Sequence, residues 1–179
     1  MDERPLIEAC KRRNNTARAE LYTTFAPRLM AICRRYAADT ESAEDLLHDA
    51  FLKIFDHIGR FSYRGEGSLS AWMERLTVNE ALSKMRADKS ELFISADGDH
   101  SLTADIPDET FDGISLDTLT ELIASLPAGC RTVFNLFCIE GWSHKEIAQT
   151  LKITERTSSS HLHRARMLLA QKVKDYEER

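Results

Sequence analysis

Residues 143–174 read SHKEIAQTLKITERTSSSHLHRARMLLAQKVK, and this stretch decides the architecture. Ser143 followed three residues later by Glu146 has the form of a capping box, which opens a helix by satisfying its first backbone N–H groups. Ile147, Ala148 and Leu151 carry that helix for two turns. Lys152-Ile153-Thr154 then reads as a tight turn, with Thr154 capping a longer helix over about 155–174. On the wheel of that second helix Ser158, Leu162, Ala165 and Leu169 face inward. Arg156, Ser160, His163, Arg164 and Met167 face out. Two helices joined by a three-residue turn form a helix-turn-helix pattern. Ala148 sits where the helices cross, and a larger side chain there would separate them. An outward stripe of Arg, Ser and His fits a DNA major groove, where Arg reads guanine and Ser and His donate to bases or phosphates. A solvated face on a terminal helix has the same composition, and both readings stand on this stretch alone.

Upstream, Leu116 to Leu126 reads as a helix ended near Pro127, and Ala128 to Glu140 as another stopped at Gly141. Residues 90–117 are acidic, weakly periodic and punctuated by Gly98, Pro107 and Gly113, which reads as a linker. Ahead of it lies a helix over about 69–87, with Leu69, Trp72, Met73, Leu76, Val78, Ala81, Leu82 and Met85 as its apolar set. Residues 59–68, GRFSYRGEGS, form a loop with three glycines, two arginines and two aromatics. The helix before that loop, about 42–58, buries Ala43, Leu46, Leu47, Ala50, Phe51, Ile54, Phe55 and Ile58. Its other face carries Glu44, Asp45, His48, Asp49 and Lys53. Thr16 to Ala38 gives a further helix with Pro27 inside it and a stripe of Leu21, Tyr22, Phe25, Leu29, Ile32, Cys33 and Tyr36. A short first helix covers residues 4–13. The pattern predicts an all-α chain of two small helical domains. The first spans 1–89, the acidic linker 90–115, and the helix-turn-helix unit 116–179.

The net charge of −5 conceals a sharp division. Residues 1–90 hold 15 Lys and Arg against 14 Asp and Glu, residues 91–125 none against 9, and residues 126–179 9 against 6. The excess acid thus sits in the linker, and the flanking units are free to meet nucleic acid. The cysteines, Cys10, Cys33, Cys130 and Cys138, lie in apolar periodic stretches with no CxxC pair, and read as free buried thiols. No His or Cys pair has zinc-finger spacing, so neither a metal nor a cofactor is expected. No run of eighteen apolar residues occurs, so no membrane insertion is expected. The opening MDERP lacks the order of a secretory signal, and the expected compartment is the cytoplasm.

Three blocks resemble the extracytoplasmic-function (ECF) sigma factors, the two-domain promoter-specificity subunits of bacterial RNA polymerase. Residues 43–55, AEDLLHDAFLKIF, resemble the family's core-polymerase-binding helix. Residues 61–86, FSYRGEGSLSAWMERLTVNEALSKMR, resemble its promoter-melting segment. Residues 126–169 resemble its carboxyl-terminal helix-turn-helix domain, sigma region 4, as the first two blocks resemble region 2. The resemblance implies core RNA polymerase as a partner, through the clamp of its largest subunit and the flap of its second, together with promoter DNA and an anti-sigma factor. It implies that Glu44, Asp45, Asp49, Leu46 and Phe51 serve polymerase binding. Phe61, Tyr63, Arg64, Trp72, Arg75 and Asn79 would serve the minus-10 element, where a flipped base is captured. The residue types suit that task, since aromatic faces stack on bases and Arg neutralises phosphate. For Trp72, core packing is an equal reading. Arg75, Lys84 and Arg86 would sit on phosphates. Arg156, Ser159, Ser160, His163 and Arg164 would serve the minus-35 element.

The chain departs from the family pattern in the helix-turn-helix. Lys152 replaces a common turn glycine, Arg156 a second glycine, Ser158 a Val, Ser159 a basic residue and His161 an Arg. A left-handed backbone at Lys152 would strain the turn. An independent helix-turn-helix regulator leaves the acidic helix and the aromatic loop unexplained. An all-helical adaptor leaves the basic residues as mere surface. No phosphate loop, metal cluster or nucleophile signature suggests an enzyme.

Overall fold

The computed structural model describes residues 3–37, 39–88 and 114–177, and every element within them is helical. The chain divides into two compact units, Met1–Lys84 and Met85–Arg179. The first contains α1 (Arg4–Lys11), α2 (Asn15–Tyr36), α3 (Thr40–His57) and most of α4 (Ser68–Asp88). A single turn of 3-10 helix, Ile58–Arg60, follows α3. The second unit contains α5 (Leu116–Ala124), α6 (Ala128–Phe134), α7 (His144–Leu151) and α8 (Glu155–Glu177). The division by packing falls inside α4, a few residues before the boundary expected from composition. The linker expected over 90–115 lies almost wholly outside the described residues.

Local chemistry sets the helix ends. Asn14 caps α2, its side-chain oxygen accepting from Ala17 N at 3.0 Å. Asp39 caps α3 by accepting from Ser42 N at 2.7 Å. Pro27 lies within α2, which continues through it to Tyr36. In the first unit the core is built from the expected stripes, including Leu21, Leu29, Cys33, Ile54, Ile58, Leu69, Met73 and Leu82, all nearly sealed from solvent. Tyr22 departs from its stripe: it is 44% exposed and packs at a tilt on Phe51, with ring centroids 4.5 Å apart. Ion pairs join the helices across the surface, Arg28 to Glu74 between α2 and α4, and Lys53 to Glu80 between α3 and α4.

The second unit closes around Ile123, Leu126, Cys130, Ala165 and Leu169, with Leu119, Leu122, Phe134 and Leu168 packed against them. Buried Arg131 donates to the carbonyl of Ala124 and so satisfies the end of α5. The helix expected to run to Glu140 widens after Phe134 into a π-helical turn, Asn135–Ile139. That turn puts Cys138 on the surface, whereas Cys10, Cys33 and Cys130 are buried as expected. Burial pushes the Cys33 thiol up to about 12 and raises Cys10 and Cys130 too, so these three are held as unreactive thiols.

The capping box at Ser143 forms: Glu146 N donates to Ser143 Oγ at 3.3 Å, and Ser143 N donates to Glu146 Oε2 at 2.8 Å. Lys152 has the left-handed backbone that its position demands, with φ 57° and ψ 42°. A β-carbon costs roughly 1–2 kcal/mol in that conformation, part of which a glycine would lose again to its freer unfolded chain. Lys152→Gly is therefore expected to stabilise the helix-turn-helix by about 0.5–1 kcal/mol, a rise of a few degrees in the midpoint followed by circular dichroism. A lower midpoint would show that the lysine side chain contributes more than its backbone strain costs.

Candidate functional site

The segment between α3 and α4 builds a cleft. The 3-10 turn ends at Arg60, and the chain then runs extended through Phe61 before bending at Gly65 and Gly67, with φ of 120° and 79°. No residue with a β-carbon adopts that pair of angles cheaply, which is why the loop holds glycines there. Ser68 starts α4 and pins the bend: its Oγ donates to Gly65 O at 2.7 Å and accepts from Arg64 N at 3.2 Å. Between loop and helix opens a cavity of about 470 Å³ lined by Arg60, Phe61, Ser62, Arg64, Ser68, Ala71, Trp72 and Arg75. Three guanidinium groups thus ring a space with two aromatic rings at its wall. Trp72 is half-buried and packs on Phe61, with centroids 4.9 Å apart and planes tilted by 39°. Phe61 is only 7% exposed, so it forms the back wall and Trp72 offers the accessible ring.

Of the residues expected to serve the minus-10 element, Phe61, Arg64, Trp72 and Arg75 line this space. Tyr63 and Asn79 do not line this space. Tyr63 turns away beneath the guanidinium of Arg4. Asn79 is exposed on α4 two turns beyond Trp72, about 10 Å further along the helix. Sequence reasoning missed Arg60 and Ser62, which flank Phe61 and line the same space.

The outer face of α3 carries Glu44, Asp45 and His48 exposed, with Leu52 among them at 51%. Asp49 is half-buried and paired with Lys84 of α4. That pairing occupies both a carboxylate expected to face the polymerase and a lysine expected to face phosphate. Leu46 and Phe51 turn inward, at 4% and 3% exposure. Their periodicity is that of the core stripe, so they shape α3 from beneath and leave the surface to its acids.

In the second unit α8 leaves Arg156, Ser159 and Arg164 exposed, while Ser160 and His163 are half-buried. Ser158, at an inward position, lies 2.9 Å from Nδ1 of His144 on α7. The His144 ring stacks on Phe137, with centroids 4.5 Å apart. A polar residue at a core position needs a partner, and that need was the legible signal for this contact. His161 is buried with its Nδ1 3.5 Å from Cys130 Sγ. Burial lowers the basicity of both histidines. For His144 the nearby Glu155 works against this, and for His161 the Arg164 charge adds to it. A lowered pKa in the fold means that the unfolded chain binds more protons. The neutral forms therefore stabilise the unit fully above about pH 6.5, and this is lost as the pH falls through the lower folded values. The melting midpoint is expected to drop between pH 7 and pH 5, less so in the double variant His144→Gln with His161→Gln. A flat profile would contradict this. Among the described residues no cluster of His, Cys, Asp and Glu fit to hold a metal ion occurs, and no helix is long and apolar enough to cross a membrane.

Residues 21–91 match the description "Sigma-70 region 2", and residues 116–169 match "Sigma-70, region 4". The ECF RNA polymerase sigma factor SigW of Bacillus subtilis is 26% identical over 94% of this chain and 95% of its own. The chain belongs to the ECF sigma factors of the sigma-70 family. The RNA polymerase sigma-H factor of Pseudomonas aeruginosa is 26% identical over 92% of this ECF sigma factor and 90% of its own length. The sigma factor RpoE of Bartonella quintana, solved with the anti-sigma factor NepR, aligns over 88% of this chain and 96% of its own with 24% identity and a TM-score of 0.49. As a sigma factor, the protein is a promoter-specificity subunit that binds core RNA polymerase and promoter DNA, and it is not an enzyme.

Proposed function

We propose that this sigma factor opens promoter DNA by capturing an unstacked minus-10 base in the cleft between Arg60 and Arg75. The observation that carries this is the convergence of Phe61, Arg64, Trp72 and Arg75 on one cavity of about 470 Å³, within the size range of small-molecule sites. An accessible indole stacks on any base, and surrounding guanidinium groups hold the flanking phosphates. Glu44 and Asp45 on α3, with Asp49 behind them, dock on a basic surface of core polymerase, which the family resemblance assigns to the clamp. Arg156, Ser159 and Arg164 on α8 face the minus-35 element, with Ser160 and His163 at the margin of that face, while the same unit meets the polymerase flap. The division of labour follows the boundaries 1–89, 90–115 and 116–179. In this reading an anti-sigma factor covers the polymerase-binding face, and the protein works in the cytoplasm, as the family resemblance supports.

Permanganate footprinting tests the melting step. Thymines of the minus-10 element are expected to become reactive only when the chain and core polymerase are both present. Duplex that stays unreactive in a complex bound at the promoter would overturn the melting role.

A further inference from the structure

Helix α1 lies ahead of residues 21–91, the stretch that matches sigma region 2. It nevertheless packs on the 3-10 turn that leads into the cleft loop. Ile7 of α1 and Ile58 of that turn are each 1% exposed. Within the loop the side chains divide: Phe61, Ser62 and Arg64 line the cleft, and Tyr63 does not. Its ring lies instead beneath the guanidinium of Arg4, 5.6 Å from the centroid. The loop is already tied at its two ends. Phe61 packs on Trp72, and Ser68 bonds the backbone of Arg64 and Gly65. Tyr63 on Arg4 is the tie between these ends, and it reaches outside the cleft to do so.

We propose that Arg4 is a positioning residue for the minus-10 cleft, acting through Tyr63, and that Tyr63 holds the loop instead of touching DNA. The proposal rests on the cleft reading above. An extended loop offers a base-binding wall only when its backbone is fixed, and fixing it beforehand spares that ordering cost when DNA binds. The residues on either side of Tyr63 present their polar groups to the cleft as long as the tyrosine points the other way. An exposed cation–π contact of this kind is worth about a two- to fivefold change in an equilibrium.

The test uses the full chain with core polymerase and a fluorescent single-stranded oligonucleotide carrying the minus-10 element. Arg4→Ala and Tyr63→Leu are each expected to weaken its binding about two- to fivefold, and the double variant no more than the weaker single one. Arg4→Lys and Tyr63→Phe keep a cation and a ring, and are expected to bind nearly as the native chain does. Affinity for core polymerase is expected to be unchanged in all of them, which a general loss of folding would not permit. Trp72→Ala serves as the reference. If it weakens oligonucleotide binding while Arg4→Ala and Tyr63→Leu do not, the positioning role is refuted and the cleft reading stands. If the two losses add in the double variant, Arg4 and Tyr63 act separately and the proposal fails. If Trp72→Ala also leaves binding intact, the cleft reading falls and the proposal with it.

Discussion

Replacing Glu44 and Asp45 together by lysine is expected to lower the affinity of the chain for core polymerase about a hundredfold. Two exposed carboxylates become cations, and like charges brought together at an interface cost several kcal/mol, with each 1.4 kcal/mol a factor of ten. Neither residue is tied to the fold by an ion pair described above, so the melting temperature of the free chain is expected to hold. Asp49 makes a less clean target, since it is paired with Lys84. Its reversal would place two cations together and loosen α3 from α4 before any partner is reached. Sedimentation or surface binding with purified core polymerase measures the effect. Unchanged affinity in the Glu44→Lys, Asp45→Lys double variant would remove α3 from the docking surface.

Trp72→Ala is expected to weaken binding of minus-10 single strand by the chain in complex with polymerase about 5- to 100-fold, the effect of deleting one stacking platform. Its ring also packs on Phe61, so the variant loosens the cleft wall as well. Trp72→Phe separates the two contributions: it keeps an aromatic face and is expected to restore most of the affinity. Arg75 is exposed at the cleft rim, and Arg75→Ala is expected to weaken binding while making it less sensitive to salt. If Trp72→Ala lowers the chain's stability but binds DNA as the native protein does, the indole is a packing residue only.

The helices were legible because their apolar stripes are strongly periodic. Leu46, Leu47, Ala50 and Ile54 recur at three and four residues, and burying that stripe leaves little choice of rotation for α3. The same periodicity placed Leu46 and Phe51 in the core, so the family's motif marks a helix more than it marks contact residues. Tyr22 fits its stripe in sequence, yet lies at the edge of the packing, its ring tilted against Phe51. The strain at Lys152 was readable because the family resemblance puts a turn glycine, and so a left-handed backbone, at that position. The π-helical widening at Asn135–Ile139 was not, since it shifts the register by one residue with no glycine or proline to announce it. Pairings across helices were the least legible part. Asp49 with Lys84 and His144 with Ser158 depend on how helices cross, and Arg4 with Tyr63 on how the loop lies against α1, which single-helix patterns leave open. The cleft was partly legible: glycines, arginines and aromatics in one loop announced it, while the departure of Tyr63 from it toward Arg4 depends on how the loop lies against α1.

Run-off transcription tests the central claim most directly. Purified core polymerase is mixed with the chain on a template bearing the promoter upstream of its own gene. The account predicts a transcript that needs both proteins and is lost with the Glu44→Lys, Asp45→Lys variant. No transcript from the mixture, with the chain alone shifting the same duplex, would contradict it.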